Sequence, residues 1–159
     1  MAHILVICTA NICRSPVAEA LLKDRLNKKG YDDWTVSSAG TWALVSRPAA
    51  RNSQIVAAQQ GFDISDHISR MVEEADLNRA DLVLCMEEGH VEALKVEFGD
   101  QAHKIYPITA MSGPVYSIND PFGGQLHDYQ VMIAELTTII DNSFDRIIEL
   151  AEENHSARR

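Results

Sequence analysis

A chain of 159 residues, 46% of them hydrophobic, is long enough to close one core as an ordinary globular domain, without metal or disulfide staples. Its formal net charge of -9 excludes broad attraction to nucleic acid or to anionic membrane surfaces, so an anionic substrate needs a local positive site on an acidic body. Few cysteines without metal-ligand spacing, no basic-then-apolar leader and no run of membrane-spanning length predict a reducing cytoplasm, with neither export nor membrane insertion.

In chain order, the apolar run Ile4, Leu5, Val6, Ile7 reads as a strand ending at Cys8. A short loop of Thr9, Ala10, Asn11, Ile12 and Cys13 leads to Arg14, Ser15 and Pro16, a helix start. Residues 17–29 alternate apolar and charged positions at helical period and stop at Gly30. Trp34 and Val36 begin a short strand that runs into a loop through Thr41, and Pro48 suits the first turn of a helix over 49–60, closed by Gly61. Residues 62–70 are irregular, with a turn at Asp63. An acidic stretch over 72–78 precedes a strand at 82–86, and a helix over 88–98 ends at Gly99. Lys104, Ile105 and Tyr106 form a last short strand. Gly113-Pro114, Asp120-Pro121 and Gly123-Gly124 mark 109–124 as loop, before a long closing helix over 125–152. The domain spans 1–153, and 154–159 is expected to fray. Four β-runs alternating with helices give a parallel sheet covered on both faces, with its site on the βα loops at the C-terminal edge.

The stretch from Ile4 to Pro16 carries the chemistry. A loop that closes a buried strand onto a helix N-terminus turns successive N–H groups inward, and the helix dipole adds positive charge there, so tetrahedral oxyanions bind such places. Arg14 contributes a planar fork able to hold two phosphate oxygens at once. Cys8 sits at the mouth of the same concavity, where N–H donors and a guanidinium favour the thiolate, and Ser15 can donate its hydroxyl to that sulfur. Asn11 suits a left-handed backbone conformation inside the loop. A thiolate attacking phosphorus expels a leaving group that needs a proton, and Asp120, in Asp120-Pro121-Phe122, is the candidate acid, although Asp-Pro is also a common turn. Trp42, Leu44 and Phe122 are placed on loops to wall an aromatic slot. Cys85 falls in a core strand as inert packing. His3, His90, His103, His127 and His155 form no constellation and are expected in solvent.

Set between a β-run and a helix start, CTANICRSP resembles the phosphate loop of the low-molecular-weight protein tyrosine phosphatases, of bacterial type, and the resemblance covers nearly the whole chain. It implies a three-layer, flavodoxin-like α/β fold with a four-stranded parallel sheet. It also implies hydrolysis of protein phosphotyrosine through a phosphocysteine. Cys8 is then the nucleophile, Asp120 the general acid and later base, and Arg14 with the loop from Thr9 through Cys13 and Ser15 the phosphate cradle. Ser38 and His67 would support the Asn11 amide, and Cys13 would pair with Cys8 in a protective disulfide. No metal or organic cofactor is implied, and the bacterial relatives suggest a tyrosine kinase among the phosphotyrosine-containing partners.

Three further readings share the scaffold. Asp120 to Gly124, reading Asp-Pro-Phe-Gly-Gly, looks like the loop of a bacterial branch that hydrolyses phosphoarginine. That branch carries Thr where this chain has Ile12, and a branched apolar side chain crowds a guanidinium while packing on a ring. Thioredoxin-coupled arsenate reduction needs two more cysteines near the Cys85 strand, where this chain has one. A non-catalytic phosphate-binding module would not require Cys8, Arg14 and Asp120 all intact. Two positions depart from the family pattern: Ala10 stands where Gly is usual, and Gly123 replaces a second aromatic.

Overall fold

A computed structural model describes residues 1–158. Strand β1 (His3–Cys8) is buried along its whole length, with Ile4, Val6 and Cys8 facing one core and Leu5 and Ile7 the other. That two-sided burial is why the segment reads as an unbroken apolar run. β1 pairs in parallel with β2 (Thr35–Gly40), from His3 opposite Thr35 to Cys8 opposite Gly40. On its other side it pairs with β3 (Leu82–Cys85), which is flanked by β4 (Ile105–Pro107), so the order is β2-β1-β3-β4.

Helices α1 (Arg14–Lys28), α2 (Arg51–Gln59) and α5 (Leu126–Ala157) cover one face, while α3 (Glu74–Arg79) and α4 (Glu88–Glu97) cover the other. This is the three-layer α/β architecture expected. Because β1 leads to β2 on one side and pairs with β3 on the other, a crevice opens at its C-terminal end, where Cys8 lies.

Some elements differ from expectation at their ends. α1 begins at Arg14, within the helix start expected at residues 14–16, and Pro16 falls in its first turn, where its missing N–H has no intrahelical acceptor to lose. Arg14 therefore belongs to the helix as well as to the loop. Gly30 and Gly61 stop their helices with φ of +86° and +87°. Pro48 lies outside α2, whose cap is Ala50. The last strand includes Pro107, tolerated on an edge strand, and short 3-10 turns occupy Gly99–Lys104 and Ile108–Met111. α5 continues through Ala157, into the stretch expected to fray, where Asn154 donates to the Asp81 carbonyl (2.9 Å) and Arg158 pairs with the buried Asp81 carboxylate (2.7 Å). Arg159 lies outside the described residues. Contrary to the expectation of solvent, His3 and His90 are buried, and His155 is half-buried. His3 bonds Thr35 and Ser37, His155 Nδ1 lies 3.2 Å from Asp81, and His90 enters the site described next.

Candidate active site

The β1–α1 loop is pinned from outside by its own carbonyls. Those of Cys8, Thr9 and Ile12 accept the N–H groups of Thr41, Trp42 and Ala50, and those of Asn11 and Cys13 accept His67 Nε2 (2.6 Å) and the Ser53 hydroxyl (3.0 Å). The scaffold thus engages the carbonyls of Cys8, Thr9, Asn11, Ile12 and Cys13. Asn11 has φ +59°, the left-handed conformation expected of it. Its buried amide donates to Ser15 Oγ (2.8 Å) and Ser38 Oγ (3.0 Å) and accepts the Arg70 N–H (3.1 Å), which satisfies both ends. Ser15 Oγ, accepting from Asn11, keeps its hydrogen for Cys8 Sγ at 3.0 Å.

Arg14 is buried. Its Nη1 donates to Glu87 Oε2 and to the Ile118 carbonyl, both at 2.7 Å, while Nη2 turns back to its own loop, 3.4 Å from Thr9 Oγ1 and 3.6 Å from Asp120 Oδ2. Its Nε is buried and has no hydrogen-bond partner among the described residues. Asp120 is partly exposed, its Oδ1 accepting the Phe122 N–H at 3.1 Å. Arg14 and Asp120 thus meet beside Thr9, the residue that follows Cys8, and Thr9 and Asp120 both line a cavity of about 550 Å³. Ile12, Trp42, Leu44 and Phe122 are among the residues that line this cavity, as are Met71 and Arg47. Trp42 is 81% exposed and Phe122 66%, so the slot is open at its rim.

A model of the family described as low molecular weight phosphotyrosine protein phosphatase matches residues 3–155. The chain belongs to this family. It is 33% identical over 144 residues to a probable low molecular weight protein-tyrosine-phosphatase, EpsP, of Ralstonia solanacearum, covering 91% of this chain and 94% of that one. It is 32% identical over 146 residues to a protein-arginine-phosphatase of Geobacillus stearothermophilus, covering 91% and 95%. Among solved structures, a low molecular weight protein tyrosine phosphatase from T. tengcongensis superposes with a TM-score of 0.87 at 35% identity, over 92% of this chain and 99% of that one.

Within this family framework, Ala10 in place of Gly brings no left-handed strain, because the positive φ in the loop falls on Asn11. Cys13 is a thiol 3.7 Å from the Tyr129 hydroxyl, and burial pushes it up to about 11. Burial also raises the Cys85 thiol far above its ordinary range. Sequence reasoning missed Glu87, Ile118 and His90. Glu87-x-x-His90 at the start of α4 does have the form of a capping box, in which each side chain accepts the other's backbone N–H, and that pattern was the available signal. Nothing local marks the Ile118 carbonyl. Among the described residues no helix is long and apolar enough to cross a membrane.

Proposed function

We propose that the protein hydrolyses protein phosphotyrosine through a phosphocysteine intermediate. The observation that carries the reading is the approach of the buried Arg14 guanidinium to the loop that starts at Cys8, with Asp120 at the same mouth. The Cys8 thiolate attacks phosphorus from the loop side, and the P–O bond to the tyrosine breaks. The leaving phenolate oxygen takes the proton of Asp120. Asp120, now ionised, then removes a proton from a water that attacks the phosphocysteine, releasing phosphate and the thiolate. Loop N–H groups, Arg14 and the Ser15 hydroxyl hold the charge that builds on the phosphoryl oxygens and on sulfur. Ile12, Trp42, Leu44 and Phe122 give a phenyl ring apolar walls, while Ser38 and His67 hold the loop through Asn11.

A second reading, phosphoarginine hydrolysis, is favoured by the similarity to a protein-arginine-phosphatase and by the Asp120 to Gly124 sequence. Ile12 on the cavity wall weighs for the aromatic substrate, since it offers a guanidinium no hydrogen bond. A reducing cytoplasm suits either chemistry, with Cys8 and Cys13 free, and a bacterial tyrosine kinase is a fitting partner. Turnover of p-nitrophenyl phosphate by wild type and Cys8→Ser tests the mechanism. Loss of turnover with retained binding of inorganic phosphate is expected, and an equally active Cys8→Ser protein would end the covalent route.

A further inference from the structure

The His90 ring, in the first turn of α4, makes contacts that the proposed reaction does not use. Its Nδ1 lies 3.1 Å from the backbone nitrogen of Glu87. A peptide N–H can only donate, so Nδ1 bears the lone pair and Nε2 the hydrogen. Nε2 stands 2.8 Å from Thr9 Oγ1, against 3.6 Å to Glu87 Oε2, so the threonine hydroxyl is the acceptor. Arg14 Nη2 donates to the same oxygen at 3.4 Å.

A hydroxyl has two lone pairs and one hydrogen. With both lone pairs of Thr9 engaged, its hydrogen is left to be donated, and Thr9 is the first residue after Cys8 and lines the cavity. A phosphate dianion offers only acceptors to its surroundings. A freely rotating hydroxyl would present it a lone pair part of the time, whereas one whose hydrogen is already aimed costs no reorganisation. The ring is 6% exposed, and burial pushes its imidazole down to about 4, Glu87 and Asp120 opposing and Arg14 assisting, so the neutral tautomer persists near neutral pH.

We propose that His90 is a positioning residue: its fixed neutral tautomer presets the Thr9 hydroxyl as a hydrogen-bond donor to a phosphate oxygen held in the loop. This rests on the phosphate-binding reading of the loop and assigns to α4 a part in recognising the anion.

Calorimetric titration of inorganic phosphate into the 159-residue protein tests it, with p-nitrophenyl phosphate turnover followed in parallel. His90→Asn keeps an acceptor near the position of Nδ1 for the α4 cap but removes the donor to Thr9; His90→Gln keeps an N–H near the position of Nε2. Thr9→Val is expected to weaken phosphate binding about tenfold, the loss of one hydrogen bond to a charged group. His90→Asn should weaken it about fivefold, with His90→Gln recovering most of that. The double variant Thr9→Val/His90→Asn should bind no more weakly than Thr9→Val alone, because His90 acts through the hydroxyl. Wild-type affinity in His90→Asn, losses that multiply in the double variant, or no phosphate binding by wild type would each overturn the assignment. Nitrogen NMR of the His90 ring in the wild-type protein gives a result independent of variant folding, and a protonated Nδ1 would also overturn it. Phosphate binding with the expected pattern but without turnover would reject the hydrolase reading and leave the Thr9 assignment standing.

Discussion

Gly40→Ala probes how tightly the sheet is fitted to the phosphate loop. Gly40 ends β2, its N–H donating to the Arg70 carbonyl and its own carbonyl accepting the Val72 N–H, both at 2.9 Å. A Cβ at this position would stand 2.4 Å from the Thr9 carbonyl oxygen, 2.9 Å from Ala43 Cβ and 3.2 Å from the Ala10 carbonyl carbon. Ordinary contact begins near 3.4 Å, so the loop must retreat by about 1 Å, and the obstacle is backbone rather than the flexible end of a side chain. The Trp42 N–H, bonded to the same Thr9 oxygen at 3.0 Å, would move with it. Overpacking of this kind costs about 1–3 kcal/mol, and a shift of about 1 Å in catalytic groups is worth about 100-fold in rate. The assay is kcat/KM on p-nitrophenyl phosphate with urea denaturation of the same samples. Gly89→Ala is the control: it sits in α4 with nothing within 4 Å of an added Cβ and should gain about 1 kcal/mol of stability. A folded Gly40→Ala protein keeping kcat/KM within about threefold of wild type would refute the fit.

Asn11→Ala removes three hydrogen bonds and leaves alanine at φ +59°, for an expected loss of about 4 kcal/mol in urea denaturation; a loss below about 1 kcal/mol would mean that the amide does not hold the loop. Asp120→Ala should slow phosphotyrosine hydrolysis more than p-nitrophenyl phosphate hydrolysis, whose leaving group scarcely needs a proton, and similar losses on both would count against Asp120 as the acid. Ile12→Thr should shift the ratio of phosphotyrosine to phosphoarginine peptide turnover toward phosphoarginine, and an unchanged ratio would remove the basis for choosing between them. Burial by itself would raise the Asp81 carboxyl, but the His3 N–H and the Arg158 guanidinium overcome it and hold the group below its ordinary value. Its contribution is therefore full above the unfolded value of about 3.9 and disappears as pH falls through the lower folded one. Asp81→Asn should cost about 2 kcal/mol at pH 7, with the gap to wild type closing in acid. A gap independent of pH would show that the carboxylate charge is not what holds the end of α5.

The strand, loop and helix start that carry Cys8, Asn11, Arg14 and Ser15 were legible in the residue order, because these residues are near neighbours along the chain and their geometry follows from local backbone rules. So was the layered α/β class, since unbroken apolar strands need cover on both faces and the intervening segments have helical period. What faces that loop depends on packing between elements far apart in the chain. The partner of Thr9 is His90, 81 positions away, and the Arg14 guanidinium is oriented by Glu87 and by a carbonyl at Ile118. The same holds for Asn154 and Arg158, which look like a polar tail in sequence and become an anchor once Asp81 is buried beneath them. Hydropathy and spacing tell which side of an element is covered. They carry no information on which distant polar group covers it, because that is set by how the strands pair and how the helices pack across them.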